Sequence, residues 1–188
     1  AAVGLALTLL IFPRTREGQE LWLLSACVIG LVVAYVPWQN QQQARSVPPI
    51  HDITTDTLNP PEFAAILGAP NPPGYADEEV ARQQREAYPD IRPYRSDASA
   101  DTAFEQAPVA ARKMGWEIVS ADPATGRIEA TATTFWYGFK DDVVVRINKY
   151  NGGSVIDVSS KSRVGRGDLG ANALRIRTYL EVQKTIGL

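Results

Sequence analysis

The stretch DVVVRINKYNGGSVIDVSSKSRV, residues 142–164, leaves few folds open to this chain. Val143, Val145 and Ile147 share one face of a strand, as do Ile156, Val158 and Val164, and Asn151-Gly152 between the two runs suits the positive dihedrals of a tight hairpin turn. A second hairpin precedes it, with WEIVSA and RIEATATTFWYG flanking the loop DPATG and Ile128, Ala130 and Ala132 on one side. The opposite face carries Glu129, Thr131, Thr133, Arg146, Asp157, Lys161 and Arg163. Four strands with one apolar and one polar face are expected.

An apolar sheet face has to be covered. SDASADTAFEQAPVAARKMG places Phe104, Ala107, Ala111 and Met114 at helical spacing, with Gly115 as the stop. Pro108 costs about 3 kcal/mol in a helix interior, which predicts a kink or an irregular turn there. Residues 169–186 repeat apolar positions at Leu169, Ala173, Ile176 and Leu180, a stripe able to lie on the sheet. The expected architecture of residues 97–188 is therefore α+β: a four-stranded antiparallel sheet with helices packed on one face.

The preceding chain has a different character. LWLLSACVIGLVVAYVPW, residues 21–38, carries no charge over 18 residues, and Trp22, Tyr35 and Trp38 near its ends suit a membrane interface. AAVGLALTLLIF at residues 1–12 is too short to span a bilayer alone and is expected to be a truncated first helix. Residues 1–38 are thus expected to form a transmembrane helical hairpin. Arg14 and Arg16 in its loop, against Arg45 beyond it, place the loop in the cytoplasm. The rest of the chain then lies on the periplasmic side of a bacterial inner membrane. Seven of the 13 prolines fall within residues 39–75, so residues 39–96 read as a proline-rich extended arm. IHDITTD adds one short strand to it, and DEEVARQQREAYPDI, with Asp77 as N-cap, one short helix.

GRIEATATTFWYGFKDDVVVRI and SSKSRVGRGDLGANALRIRTYL resemble a bacterial and plant family, domain of unknown function 1499. The resemblance covers roughly residues 49–180. Its most specific parts are GFKDD, residues 138–142, and SRVGRGDLGAN, residues 162–172, where Gly167 stands in place of the family's usual serine. It implies no activity and no catalytic residue, and it agrees with a membrane-anchored member, since similar proteins often carry apolar N-terminal segments.

Arg166-Gly167-Asp168 looks like an adhesion tripeptide, but one substitution creates it. The geometric reading is a strand ending at Val164, a glycine-permitted turn, and Asp168 capping the last helix. Residues 1–38 sum to zero charge, residues 39–126 to -6 and residues 127–188 to +4, so an anion-seeking surface belongs in the last third. Arg163, Arg166 and Arg175 are candidates to converge on a phosphate or carboxylate at the helix start. Lys140, Asp141, Asp142 and Asp168 offer an internal salt-bridge network instead. Phe135, Trp136, Tyr137 and Phe139 form an aromatic cluster, a candidate docking patch.

The inventory excludes familiar chemistry. His51 is the only histidine and lies in the arm, so no serine or cysteine triad is expected. Cys27 is the only cysteine and allows no intrachain disulfide. No metal-ligand spacing, phosphate-binding loop or dinucleotide fingerprint is present, so neither metal nor cofactor is expected. Asp141 and Asp142, adjacent on a strand, point to opposite faces and make a poor general acid and base pair. No nucleic acid is expected as partner. The expected role is a non-catalytic accessory subunit, bound to the lipid bilayer and to other membrane protein subunits. The alternative is a binding protein for an anionic small molecule or lipid headgroup at the Arg163/Arg166 turn.

Overall fold

The computed structural model describes residues 20–66, 78–134, 138–165 and 167–187. The chain divides into two units, Ala1–Ser46 and Val47–Leu188. In the first, helix α1 runs Glu20–Ser46. It continues through Pro37 and past Trp38, so residues 39–46 are helical rather than extended. The run of glutamines explains this, since glutamine is a good helix former. Among the described residues no helix is long and apolar enough to cross a membrane. The transmembrane hairpin is accordingly not shown, and its first segment lies outside the described residues.

The second unit is α+β with an antiparallel sheet of six strands, not four. In chain order it contains β1 (Asp52–Thr54), α2 (Glu78–Ala87), β2 (Tyr94–Ser96), α3 (Ala100–Lys113) and β3 (Glu117–Asp122). It continues with β4 (Arg127–Thr133), β5 (Lys140–Tyr150), β6 (Gly153–Ser162) and α4 (Ala171–Ile186). The sheet order is β1-β6-β5-β4-β3, and β2 also pairs with β6. The two additional strands come from residues 39–96. β1 pairs with Ser159 to Lys161 and β2 with Ser154 to Ile156, end to end along the edge of β6. Each is three residues long and close to prolines, which cannot donate to a ladder. Such strands are too short to leave an alternating pattern.

The Asn151-Gly152 turn sets the register of β5 and β6. Asn151 has φ 47° and Gly152 φ 86°, and Tyr150 pairs with Gly153, Arg146 with Asp157 and Asp142 with Lys161. One face of the sheet, lined by Ile128, Ala130, Val143, Val145, Ile147, Ile156 and Val158, is buried beneath α3 and α4. Helix α3 contributes Ala103, Ala107, Ala110 and Ala111, small enough to bring its backbone close to the strands. It runs unbroken through Pro108, where a kink or irregular turn was expected. Burial of this alanine stripe offsets the lost hydrogen bond. Helix α4 begins at Ala171 rather than Leu169, and Tyr179 on its buried side stacks on Trp116 at 5.0 Å between ring centroids. β6 ends at Ser162, leaving Val164 exposed. The helix-facing positions near its end are Ser160 and Ser162, and there the core turns polar.

Candidate functional site

Asp141 and Asp142 lie next to one another on β5 and serve opposite faces of the sheet. On the helix side, Arg175 of α4 donates from Nη2 to Asp141 Oδ2 at 2.5 Å and from Nη1 to Ser160 Oγ at 3.0 Å and to Asn172 Oδ1. Asn172 Nδ2 donates to the carbonyl of His51 at 2.9 Å and to Ser162 Oγ at 3.0 Å. Ser160, Asn172 and Asp141 are all buried. These groups satisfy one another, as a polar cluster inside a core must. A cavity of about 300 Å³ adjoins them, lined by Met114, Trp116, Ala132, Leu174, Arg175 and Thr178.

On the outer side, Arg163 grips Asp142 with a two-pronged contact: Nη2 donates to Oδ1 at 2.7 Å and Nε to Oδ2 at 2.9 Å. Thr131 Oγ1 adds a third donor at 3.2 Å. Asp142 is 1% exposed, and its hydrogen bond to Arg163 holds the guanidinium pKa above its ordinary value. Asp168 Oδ1 accepts from the amide of Gly170 at 2.9 Å and Oδ2 from that of Asn172 at 2.6 Å, fastening the first turn of α4. Lys140 stays exposed, and its carbonyl accepts from the Arg163 amide at 3.2 Å. Arg166 lies outside the described residues.

The aromatic cluster is described only at Phe139, which is half exposed. Its amide donates to Thr134 Oγ1 at 2.9 Å, and Thr134 returns a backbone bond to the Phe139 carbonyl at 2.8 Å, closing the β4–β5 loop. Phe135, Trp136 and Tyr137 lie outside the described residues.

Two outer-face residues carry more than their polar alternation announces. Arg146 donates from Nη2 to Asp157 Oδ2 at 3.0 Å and to the carbonyl of Asn59 at 2.7 Å. Burial pushes the Asp157 carboxyl up, against the opposing pull of Arg146. Glu129 accepts from the backbone amides of Ala64, Ala65 and Ile66 at 2.7 to 3.0 Å. The polar face of the sheet is thus covered by part of the arm rather than left to water.

Chemically, both aspartates are committed to arginines on opposite sides of a sheet and cannot address one substrate. Among the described residues no group of three or more His, Cys, Asp or Glu side chains could hold a metal ion. The outer pair gives a direct test. Arg163→Ala should lower stability by about 1–3 kcal/mol, because Asp142 keeps only the Thr131 donor. Arg163→Ala with Asp142→Ala should cost less than the two single losses summed, measured by denaturant unfolding; strict additivity would deny the coupling.

Fold and site together define a two-layer α+β domain with an internally paired charge network. Residues 52–182 match the family described as protein of unknown function (DUF1499), and the chain belongs to it. No curated protein matches the chain. Among solved structures, the crystal structure of Ara h 8.0201 is similar at 12% identity, covering 50% of this chain and 94% of that one with a TM-score of 0.38. A likeness that distant carries no argument about fold or function.

Proposed function

We propose that the chain is a membrane-anchored, extracytoplasmic interaction module, a non-catalytic accessory subunit of a larger membrane protein complex. The observation that carries this reading is the surface of α1. Val28, Ile29, Leu31, Val32 and Val33 are all more than half exposed and at 100° per residue spread over about 200° of the helix, and the exposed, uncharged Cys27, Gly30 and Ala34 fill the remaining sector. Each such side chain forgoes about 1.5–3 kcal/mol of burial in water. A partner touching one side would leave the other uncovered, whereas lipid or a ring of neighbouring helices surrounds it. With Leu21, Trp22 and Leu23 the charge-free run reaches 18 residues, about 27 Å of helix. The arginines at 14 and 16 favour a periplasmic position for residues 47–188 at the inner membrane.

A binding site for an anionic small molecule or lipid headgroup at the Arg163/Arg166 turn is the weaker reading. An external anion would have to compete with Asp142 for Arg163, at a carboxylate already in place and buried. Added phosphate should therefore leave the melting temperature unchanged; a concentration-dependent rise lost in Arg166→Ala would favour the ligand reading.

Topology tests the anchor. A periplasmic phosphatase fused after Leu188 should be active, and a cytoplasmic fluorescent reporter in its place should be dark. The reverse pattern would overturn the periplasmic assignment, and release of the whole chain by an alkaline wash would overturn the anchor itself.

A further inference from the structure

We propose that residues 56–66 form a lid latched over the outer face of the sheet, with the Glu129 carboxylate as the latch. Glu129 is 1% exposed and stands in the middle of β4, where a carboxylate needs several donors to remain buried. It receives them from three consecutive backbone amides: Ala64 to Oε1 at 2.7 Å, Ala65 to both oxygens at 3.0 and 2.9 Å, and Ile66 to Oε2 at 2.8 Å. Arg127 Nε stands 3.3 Å from the same carboxylate. Converging amides of this kind make an anion cradle, and here the anion is supplied by the sheet.

The near end of the segment is fixed differently. Gln84 of α2 bonds both the amide and the carbonyl of Thr54, at 3.0 and 2.7 Å, and Arg85 Nη1 reaches Thr57 Oγ1 at 3.2 Å. Arg146 then holds the Asn59 carbonyl. Val144 pairs with Glu129 in the sheet register, and Arg146 is two residues further along the same face of β5. A segment bound to Arg146 at Asn59 and to Glu129 at Ala64 must therefore pass over Val144, which is fully buried yet outside the main core.

Charge-assisted contacts fasten this segment at Asn59 and at Ala64 to Ile66. Leu58 is 87% exposed and Ala64 and Ala65 are exposed, while Phe63 and Ile66 are partly buried and Pro61 is buried. A segment with one fully buried side chain and a few charge-assisted contacts belongs to the part of a fold that opens locally, below the free energy of global unfolding. Opening uncovers Glu129 and Val144 while the Thr54–Gln84 base stays closed. The contact is self-occupying: a partner segment that used this face would first have to displace the chain's own lid.

Hydrogen exchange on the full chain in detergent tests the latch without reference to membrane or partner, so its outcome is independent of the association reading. In the wild type the amides of Ala64, Ala65 and Ile66 should exchange faster than those of Val143, Val145 and Ile147. Glu129→Gln, which turns an acceptor oxygen into a donor, should accelerate residues 64–66 about tenfold or more and leave the β5 amides unchanged. Equal rates for lid and strand in the wild type, or an equal acceleration of both in the variant, would overturn the proposal. A second readout uses Val144→Cys in a Cys27→Ser background. Its thiol labelling should quicken when Glu129→Gln is added, and labelling indifferent to residue 129 would count against the lid.

Discussion

Arg175→Ala should cost the protein about 3–5 kcal/mol and lower its melting temperature by on the order of 10 °C. The substitution leaves Asp141 buried without its cation and strips donors from Ser160 and Asn172, both inside the core. The penalty is that of a stranded charge rather than the worth of the ion pair. Asp141→Ala together with Arg175→Ala should therefore be less destabilised than the sum of the single variants, by a coupling of about 1–3 kcal/mol. Denaturant unfolding of the full chain in detergent measures all three. Additive losses would mean that the two side chains stabilise the core separately and that the short contact carries no energy of its own.

Gly126→Ala should be nearly as damaging, at about 2–5 kcal/mol, although a methyl group is all it adds. Gly126 closes the β3–β4 hairpin with φ 63°, and its carbonyl accepts from the amide of Ile147 at 2.8 Å. A Cβ there would lie 2.2 Å from the Ile147 carbonyl oxygen, backbone against side chain, so β5 would have to move away. Gly152→Ala provides the control, since Gly152 has φ 86° but nothing within 4 Å of the added atom. It should show only the left-handed cost of about 1–2 kcal/mol. Equal losses at the two sites would show that the hairpin can shift and that the close approach is unimportant.

Much of the sheet could be read in the residues. The Asn151-Gly152 turn fixed the pairing of β5 and β6, and with it the placement of Arg146 opposite Asp157. That pair could have been named from the turn alone by counting outward from it. Period-two alternation sent Asp141 and Asp142 to opposite faces, which the structure displays with a separate arginine for each. β1 and β2 were less accessible, because three residues carry no period and their prolines argued for extended chain. IHDITTD gave the one hint, which marked β1 and left β2 unmarked. The burial of Glu129 was out of reach altogether. Its partners are main-chain amides 63 to 65 residues away, and an amide leaves no trace in the identity of the residue that bears it. The apolar stripe of α4 left three buried positions unnamed for a related reason: Asn172, Tyr179 and Gln183 are buried, but their polarity keeps them out of an apolar pattern.

The edge of β6 also imposes an order of events on synthesis. Both strands that complete it come from early chain, and Asp52 meets Ser159 across 107 residues. While a ribosome delivers the chain, β1 and β2 have no ladder to join until β6 has emerged. Local hairpins such as β3–β4 form first, and the distant pairing follows at the cost of closing a long loop. Through that interval the early strands and the residues of the lid wait without their partners, exposed to whatever else can pair with a free strand. If α1 has by then reached a membrane, the waiting chain is tethered at one end, diluted from its neighbours and kept beside the surface where it will finish folding.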